Sequence, residues 1–208
     1  MIGKRYILLP VCSLTIFIIV VLGFNNILVP LDMEIIKIVQ SLETPILTKI
    51  LALLTNISDT IQNIIITTVI VIVLYLKKYK QEALYLTISM LTCSLLVMGI
   101  KNFIQRPRPQ IHRLAEISGY SFPSGHTVSA TILYFSMALI IVKIYQQLTK
   151  QVTLTIATIG IIFIIFSRIY LGVHYPTDTI AGAALGITVV VFYYWVFYKS
   201  PLYKYGEK

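Results

Sequence analysis

The chain has 208 residues, of which 57% are hydrophobic and 12% charged, with a mean hydropathy of +0.85 and a formal net charge of +9. These values exclude an ordinary soluble domain and fit one membrane domain over residues 1–208. The basic residues sit at the ends of apolar runs, where membrane proteins set their orientation and meet phosphate headgroups, so the charge does not call for nucleic acid. The first run, Tyr6–Gly23, follows Lys4-Arg5 as the core of a signal peptide would. It is followed by Phe24-Asn25-Asn26 in place of a small-x-small cleavage pattern, and so reads as a retained first span.

Five more runs approach the length that crosses a bilayer core of about 30 Å. They are Ile61–Leu76, Ala83–Ile100, Thr127–Ile144, Thr153–Phe166 and Thr179–Phe197; the fifth of the six is short unless it continues through Arg168 toward Leu171. Between the first two lies Pro30–Leu54, where apolar positions recur at helical spacing among Asp32, Glu34, Lys37, Glu43 and Lys49. Thr44-Pro45 has the form of a helix start, and the segment reads as one or two interfacial helices. The expected fold is therefore all-α, an integral membrane bundle of six transmembrane helices with one or two interfacial helices between the first and second spans. Asn56-Ile57-Ser58 is a formal glycosylation sequon of little weight. Cys12 and Cys93 both fall in apolar runs, which argues against a disulfide framework or a zinc site. In the last run, Gly182-Ala-Ala-Leu-Gly186 permits close helix packing, and Phe192-Tyr193-Tyr194-Trp195 reads as an interface belt.

Six spans place the basic residues ten on one side and seven on the other. This bias puts both termini in the cytoplasm. The disfavoured outer side nevertheless holds Lys101, Arg106, Arg108 and Arg113 close together, and anion binding is the simplest use for them. Three clusters meet on that side. The first leaves the third span, with Lys101 and Arg108 seven residues apart and Pro107 and Pro109 forbidding a continued helix. The second, Phe122-Pro123-Ser124-Gly125-His126-Thr127, enters the fourth span, so that backbone donors near Ser124 and Gly125 favour an anion at a helix start. The third, Ser167–Asp178, holds Arg168, His174 and Asp178, the last two spaced for one helical face. Taken alone, this stretch also admits a snorkelling Arg168, a helix-capping Asp178 and an incidental His174.

Together these groups have the chemistry of phosphoryl transfer. Arginine and lysine stabilise the equatorial oxygens, one imidazole attacks phosphorus, and the other protonates the departing oxygen. Asp178 would fix a ring tautomer. The carboxylates from Lys101 to Asp178 are Glu116 and Asp178, too few for a two-metal site, so a metal-free reaction with no cofactor is expected. Arg106 and Arg113 read equally as substrate-steering cations and as solvated surface charges; His112 matches no motif and reads as a loop residue.

The pattern Lys101-x6-Arg108-Pro109, Pro123-Ser124-Gly125-His126 and Ser167-Arg168-x5-His174-x3-Asp178 resembles the three-part signature of the type 2 phosphatidic acid phosphatase (PAP2) superfamily. The resemblance covers the six-span core and says least about Pro30–Leu54. It implies His174 as nucleophile, Asp178 as its partner and His126 as general acid, with Lys101, Arg108, Ser124, Gly125 and Arg168 binding phosphate. It also implies a multi-pass cell-membrane enzyme that hydrolyses a lipid phosphate or pyrophosphate at the outer leaflet. The substrate would be phosphatidylglycerophosphate, phosphatidic acid or undecaprenyl pyrophosphate. Two alternatives stand beside it: a lipid phosphotransferase using the same histidine, and a phospholipid-binding or transport protein without turnover.

Overall fold

A computed structural model describes residues 5–56, 59–147 and 149–200. Eight α-helices and no strand occur among them: α1 (Arg5–Gly23), α2 (Val29–Gln40), α3 (Pro45–Asn56), α4 (Thr60–Leu76), α5 (Lys80–Ile104), α6 (Gly125–Ile144), α7 (Lys150–Tyr170) and α8 (Pro176–Tyr198). Ile57 and Ser58 of the sequon, and Lys4, Lys204 and Lys208 of the charge count, lie outside the described residues. By length and composition, α5, α6, α7 and α8 can each cross a membrane. The apolar stretches of α1 and α4, Ile7–Gly23 and Ile61–Leu76, are shorter. The fifth run of the sequence does continue through Arg168, which gives α7 21 residues in place of fourteen. Pro30–Leu54 forms two helices. Pro30 opens the first turn of α2, and Thr44 Oγ1 accepts the Leu47 amide at 3.2 Å where α3 begins.

Apolar side chains point both ways from this bundle. Leu22, Ile156 and Phe103 are 80%, 64% and 89% exposed, as expected of side chains whose solvent is lipid. Inward, one cluster joins Leu74, Tyr85, Leu86, Leu133, Ile140 and Phe197, and a second joins Cys93, Val128, Ile132, Leu185, Val189 and Val190. The glycines expected to permit close packing lie on the α6–α8 contact. A Cβ on Gly186 would stand 2.7 Å from Thr131 Cβ, and one on Gly182 would stand 3.0 Å from the Ser124 carbonyl.

A third cluster brings Val20 and Phe24 of α1 to Phe122 and Ala181, with the Phe24 and Phe122 rings stacked at 5.2 Å. A fourth seats Leu51 of α3 on Tyr170, Leu171 and Val173. The C-terminal ends of α1, α5 and α7 therefore gather with the N-terminal ends of α6 and α8, and α2 and α3 pack around them. That end carries the site.

Candidate active site

Chain direction changes sharply at each of the three clusters. Gln105 takes the left-handed conformation, φ 51°, and ends α5 four residues after Lys101, so the helical relation of Lys101 to Arg108 is broken before Pro107. Both cations fold the following loop around themselves. Lys101 Nζ donates to the Tyr120 carbonyl at 2.6 Å. Arg108 donates to the carbonyls of Gly119 (2.9 Å), Val173 (2.8 Å), Ser118 (3.1 Å) and Tyr120 (3.3 Å).

His174 lies in the short connection between α7 and α8 and is buried. Its Nδ1 faces Asp178 Oδ2 and Ser121 Oγ, each at 3.4 Å. The Ser121 hydroxyl donates to that same Oδ2, so both atoms near Nδ1 are acceptors and the ring proton belongs there. Nε2 then holds the lone pair, 3.2 Å from Arg108 NH1. Burial opposes a charged ring, whereas Asp178 favours one; burial is the larger effect and pushes the His174 pKa down to about 3. The imidazole is neutral, with its basic nitrogen turned toward a guanidinium.

Asp178 both caps a helix and faces His174. Oδ2 accepts the Tyr175 amide at 2.9 Å, part of a capping box at the start of α8, and the same atom faces His174. Oδ1 accepts from Arg106 NH1 at 2.6 Å. Arg106 was expected to be a solvated charge or a substrate guide, but it is 4% exposed. Its NH2 donates to Asp32 Oδ2 at 3.0 Å and to the Phe24 carbonyl at 3.1 Å.

His126, in the first turn of α6, has Nε2 2.6 Å from Asp59 Oδ1, which places a proton on that nitrogen. Ser124 caps α6: its Oγ accepts from Thr127 Oγ1 at 3.0 Å and from the Thr127 amide at 3.4 Å, while its own amide donates to the Asp178 carbonyl at 3.1 Å. The side chain of Ser124 thus organises the helix start and ties it to α8. Arg168, in the last turn of α7, is 1% exposed. Its NH1 donates to Thr55 Oγ1 at 2.9 Å, while Nε and NH2 are buried without a partner among the described residues. Buried guanidinium donors in that state favour an anion.

His126, His174, Lys101, Arg108, Gly125 and Asp59 line one cavity of about 1130 Å³, which runs on between α4 and α5 past Thr68, Val71, Met90 and Leu91. Among the described residues no three His, Cys, Asp or Glu side chains gather as a metal-ligand set. His112 stays outside the site, 3.1 Å from Glu43 at the surface.

Three groups were missed from the sequence. Asp59 carried a faint signal, as a lone acid at the mouth of the second apolar run. Asp32 was indistinguishable from nearby Glu34, and Ser121 stood outside every motif.

Known proteins are similar to this chain. Phosphatidylglycerophosphatase B of Bacillus subtilis is 38% identical over 98 residues, covering 46% of this chain and 48% of that protein. Lipid A 4'-phosphatase of Porphyromonas gingivalis is 36% identical over 139 residues, covering 60% and 56%. The chain thus spans about half the length of the curated relatives it matches. The crystal structure of a transmembrane PAP2-type phosphatidylglycerolphosphate phosphatase from Bacillus subtilis superposes with a TM-score of 0.83 at 27% identity, over 88% of this chain and 93% of that one. The model of the PAP2 superfamily matches residues 82–201, more than half of the chain and all three clusters around the cavity, and the protein belongs to that superfamily.

Proposed function

We propose that this membrane protein hydrolyses a lipid phosphate or pyrophosphate through a phosphohistidine. The observation that carries the reading is the orientation of His174. Nδ1 is backed by Asp178 and Ser121, and the lone pair on Nε2 faces the cavity that holds His126, Lys101 and Arg108. Nε2 attacks phosphorus, and the bond from phosphorus to the leaving oxygen breaks. That oxygen takes the proton from Nε2 of a His126 ring protonated on both nitrogens, which is left neutral. Water then attacks the phosphohistidine, gives a proton back to His126, and releases phosphate from a restored neutral His174.

Arg168 supplies two unengaged donors to the phosphoryl oxygens, and Lys101 and Arg108 add their charge once a phosphate competes with the loop carbonyls. The Gly125 end of α6 contributes its helix dipole, with Ser124 holding that end in place. Charge from these side chains makes the reaction metal-independent.

The cleft between α4 and α5 takes the lipid tail while the headgroup stays at the membrane edge. In this reading α1 and α4 complete six spans, α2 and α3 lie at the interface, both termini are cytoplasmic, and the site opens on the outer leaflet. Phosphatidylglycerophosphate, phosphatidic acid and undecaprenyl pyrophosphate all present the required phosphate.

The test is phosphate release in detergent from these three lipids with EDTA present, comparing wild type with His174→Ala. Release by wild type alone is expected, along with an acid-labile, base-stable phosphoryl-enzyme during turnover. Equal release by both proteins would remove the reading. Transfer of phosphate only when a second lipid acceptor is added would replace it with the phosphotransferase.

A further inference from the structure

Both amino groups of Arg106 donate to protein acceptors that lie outside the walls of the cavity. NH1 donates to Thr177 Oγ1 at 2.8 Å and to Asp178 Oδ1 at 2.6 Å, and NH2 donates to Asp32 and to the Phe24 carbonyl. Its Cζ lies over the Tyr175 ring, 3.9 Å from the centroid, and over the Phe24 ring at 4.8 Å. Unlike Arg168, whose Nε and NH2 are buried without a partner among the described residues, Arg106 has both amino groups engaged, one of them on Asp178, and this places it to act on that carboxylate.

Asp32, from α2, is the other end of this bridge. It is fully buried, and its Oδ1 accepts the Thr177 amide at 2.9 Å while Oδ2 accepts the Thr177 hydroxyl at 2.6 Å. Thr177 precedes Asp178 in the first turn of α8, so Asp32 fixes the turn that presents the carboxylate. Arg106 fixes the carboxylate itself: by holding Oδ1 it leaves Oδ2 turned to His174.

The charges add a second role. Asp32, Arg106 and Asp178 are two carboxylates around one guanidinium, with a net charge of −1 in a buried space. A ring phosphorylated on Nε2 and protonated on Nδ1 carries a positive charge on the imidazole. The triplet is its counter-charge. Without Asp32, Arg106 would neutralise Asp178 alone and leave that ring positive and uncompensated.

Resting on the phosphatase reading above, we propose that Asp32 and Arg106 are positioning residues for the His174–Asp178 couple. They aim Asp178 Oδ2 at Nδ1 and supply the excess negative charge that stabilises the phosphohistidine.

The experiment compares Asp32→Asn with Asp32→Glu in the full chain, measuring kcat and KM on phosphatidic acid in detergent alongside thermal stability. Asparagine keeps the shape and removes the charge; glutamate keeps the charge and disturbs the fit. The expected result is a kcat at least tenfold below wild type for Asp32→Asn with KM changed less than twofold, and a smaller loss for Asp32→Glu. A kcat for Asp32→Asn equal to or above that of Asp32→Glu would mean that Asp32 acts through packing alone, and would overturn the proposal.

Arg106→Lys provides the same reading if neither Asp32 variant folds, because lysine keeps the charge and loses the two-sided bridge. A tenfold loss of kcat at unchanged KM supports the role, and wild-type kcat refutes it. Wild type and His174→Ala are run in parallel. Equal turnover by those two removes the phosphatase reading and this assignment together, whereas a wild-type-only activity that Asp32→Asn and Arg106→Lys both retain removes this assignment alone.

Discussion

A neutral imidazole beside a carboxylate is the outcome of two opposed effects at His174. Burial disfavours the cation more than Asp178 favours it, which holds the pKa at about 3. An ordinary histidine would lose about 30-fold of its neutral form between pH 8 and pH 5. With its pKa at about 3, the His174 ring should instead stay neutral across that whole range, as NMR of its ring nitrogens would show. The same shift has a stability consequence of definite sign. Above the unfolded value of about 6.5 neither state holds the proton. Between that value and about 3 the unfolded chain binds one and the folded chain does not, so stability falls as pH falls. The slope from this residue is at most about 1.4 kcal/mol per pH unit, and His174→Asn should remove it from denaturation measured across pH 4–6.

Asp59 gives a second prediction, because it meets His126 at 2.6 Å. Asp59→Asn should lower kcat about tenfold on lipids with an alkoxide leaving group, within the usual range for general acid catalysis. It should lower it much less on p-nitrophenyl phosphate, whose leaving group needs no proton; an equal loss on both substrates would assign Asp59 another role. The motif residues themselves were legible because each carries distinctive chemistry in an apolar chain. Asp32 and Asp59 were not, since their importance comes from partners 74 and 67 residues away. Arg106 was misread for a related reason: a charge next to Pro107 reads as a loop residue until Asp32 and Asp178 close around it.

The helices follow from simpler physics, and most were visible. Pro45 marks the start of α3 as its sequence position implied. Gln105 and the prolines after it stop α5. The extension of α7 through Arg168 was readable only as a condition, because a cation at the end of an apolar run is equally compatible with a helix that stops short of it. Contact between α6 and α8 depends on glycine at two positions one helical turn apart. Gly186→Val would drive a branched side chain into Thr131, already only 2.7 Å from the first carbon such a residue adds. Overpacking of this kind costs about 1–3 kcal/mol. The expected result is a lower melting temperature in detergent together with reduced turnover, since α6 and α8 carry His126 and Asp178. A Gly186→Val protein with unchanged melting temperature would show that the two helices separate freely.

At the scale of the molecule, the cavity joins a polar end to an apolar cleft, and this sets how substrate length should matter. Phosphatidic acids of increasing chain length should bind with falling KM and nearly constant kcat, because the tail contributes to binding and the headgroup to reaction. Thr68→Trp, within the cleft, should raise KM for long-chain lipids at least fivefold and leave hydrolysis of a short-chain, water-soluble analogue nearly unchanged. Loss on both would place the tail elsewhere.

The bridge from Asp32 through Arg106 to Asp178 also bears on how the protein is made. Asp32 leaves the ribosome 74 residues before Arg106 and 145 before Thr177, a delay of at least several seconds at about 5–20 residues per second. For that interval α2 holds a carboxylate whose partners do not yet exist, and it cannot settle into the buried place it finally occupies. On this order of synthesis α2 can settle only after α5 and Arg106 have emerged, and fully only with α8. Nascent chains stalled before Arg106 should leave Asp32 open to water and protease, and chains stalled after α8 should not.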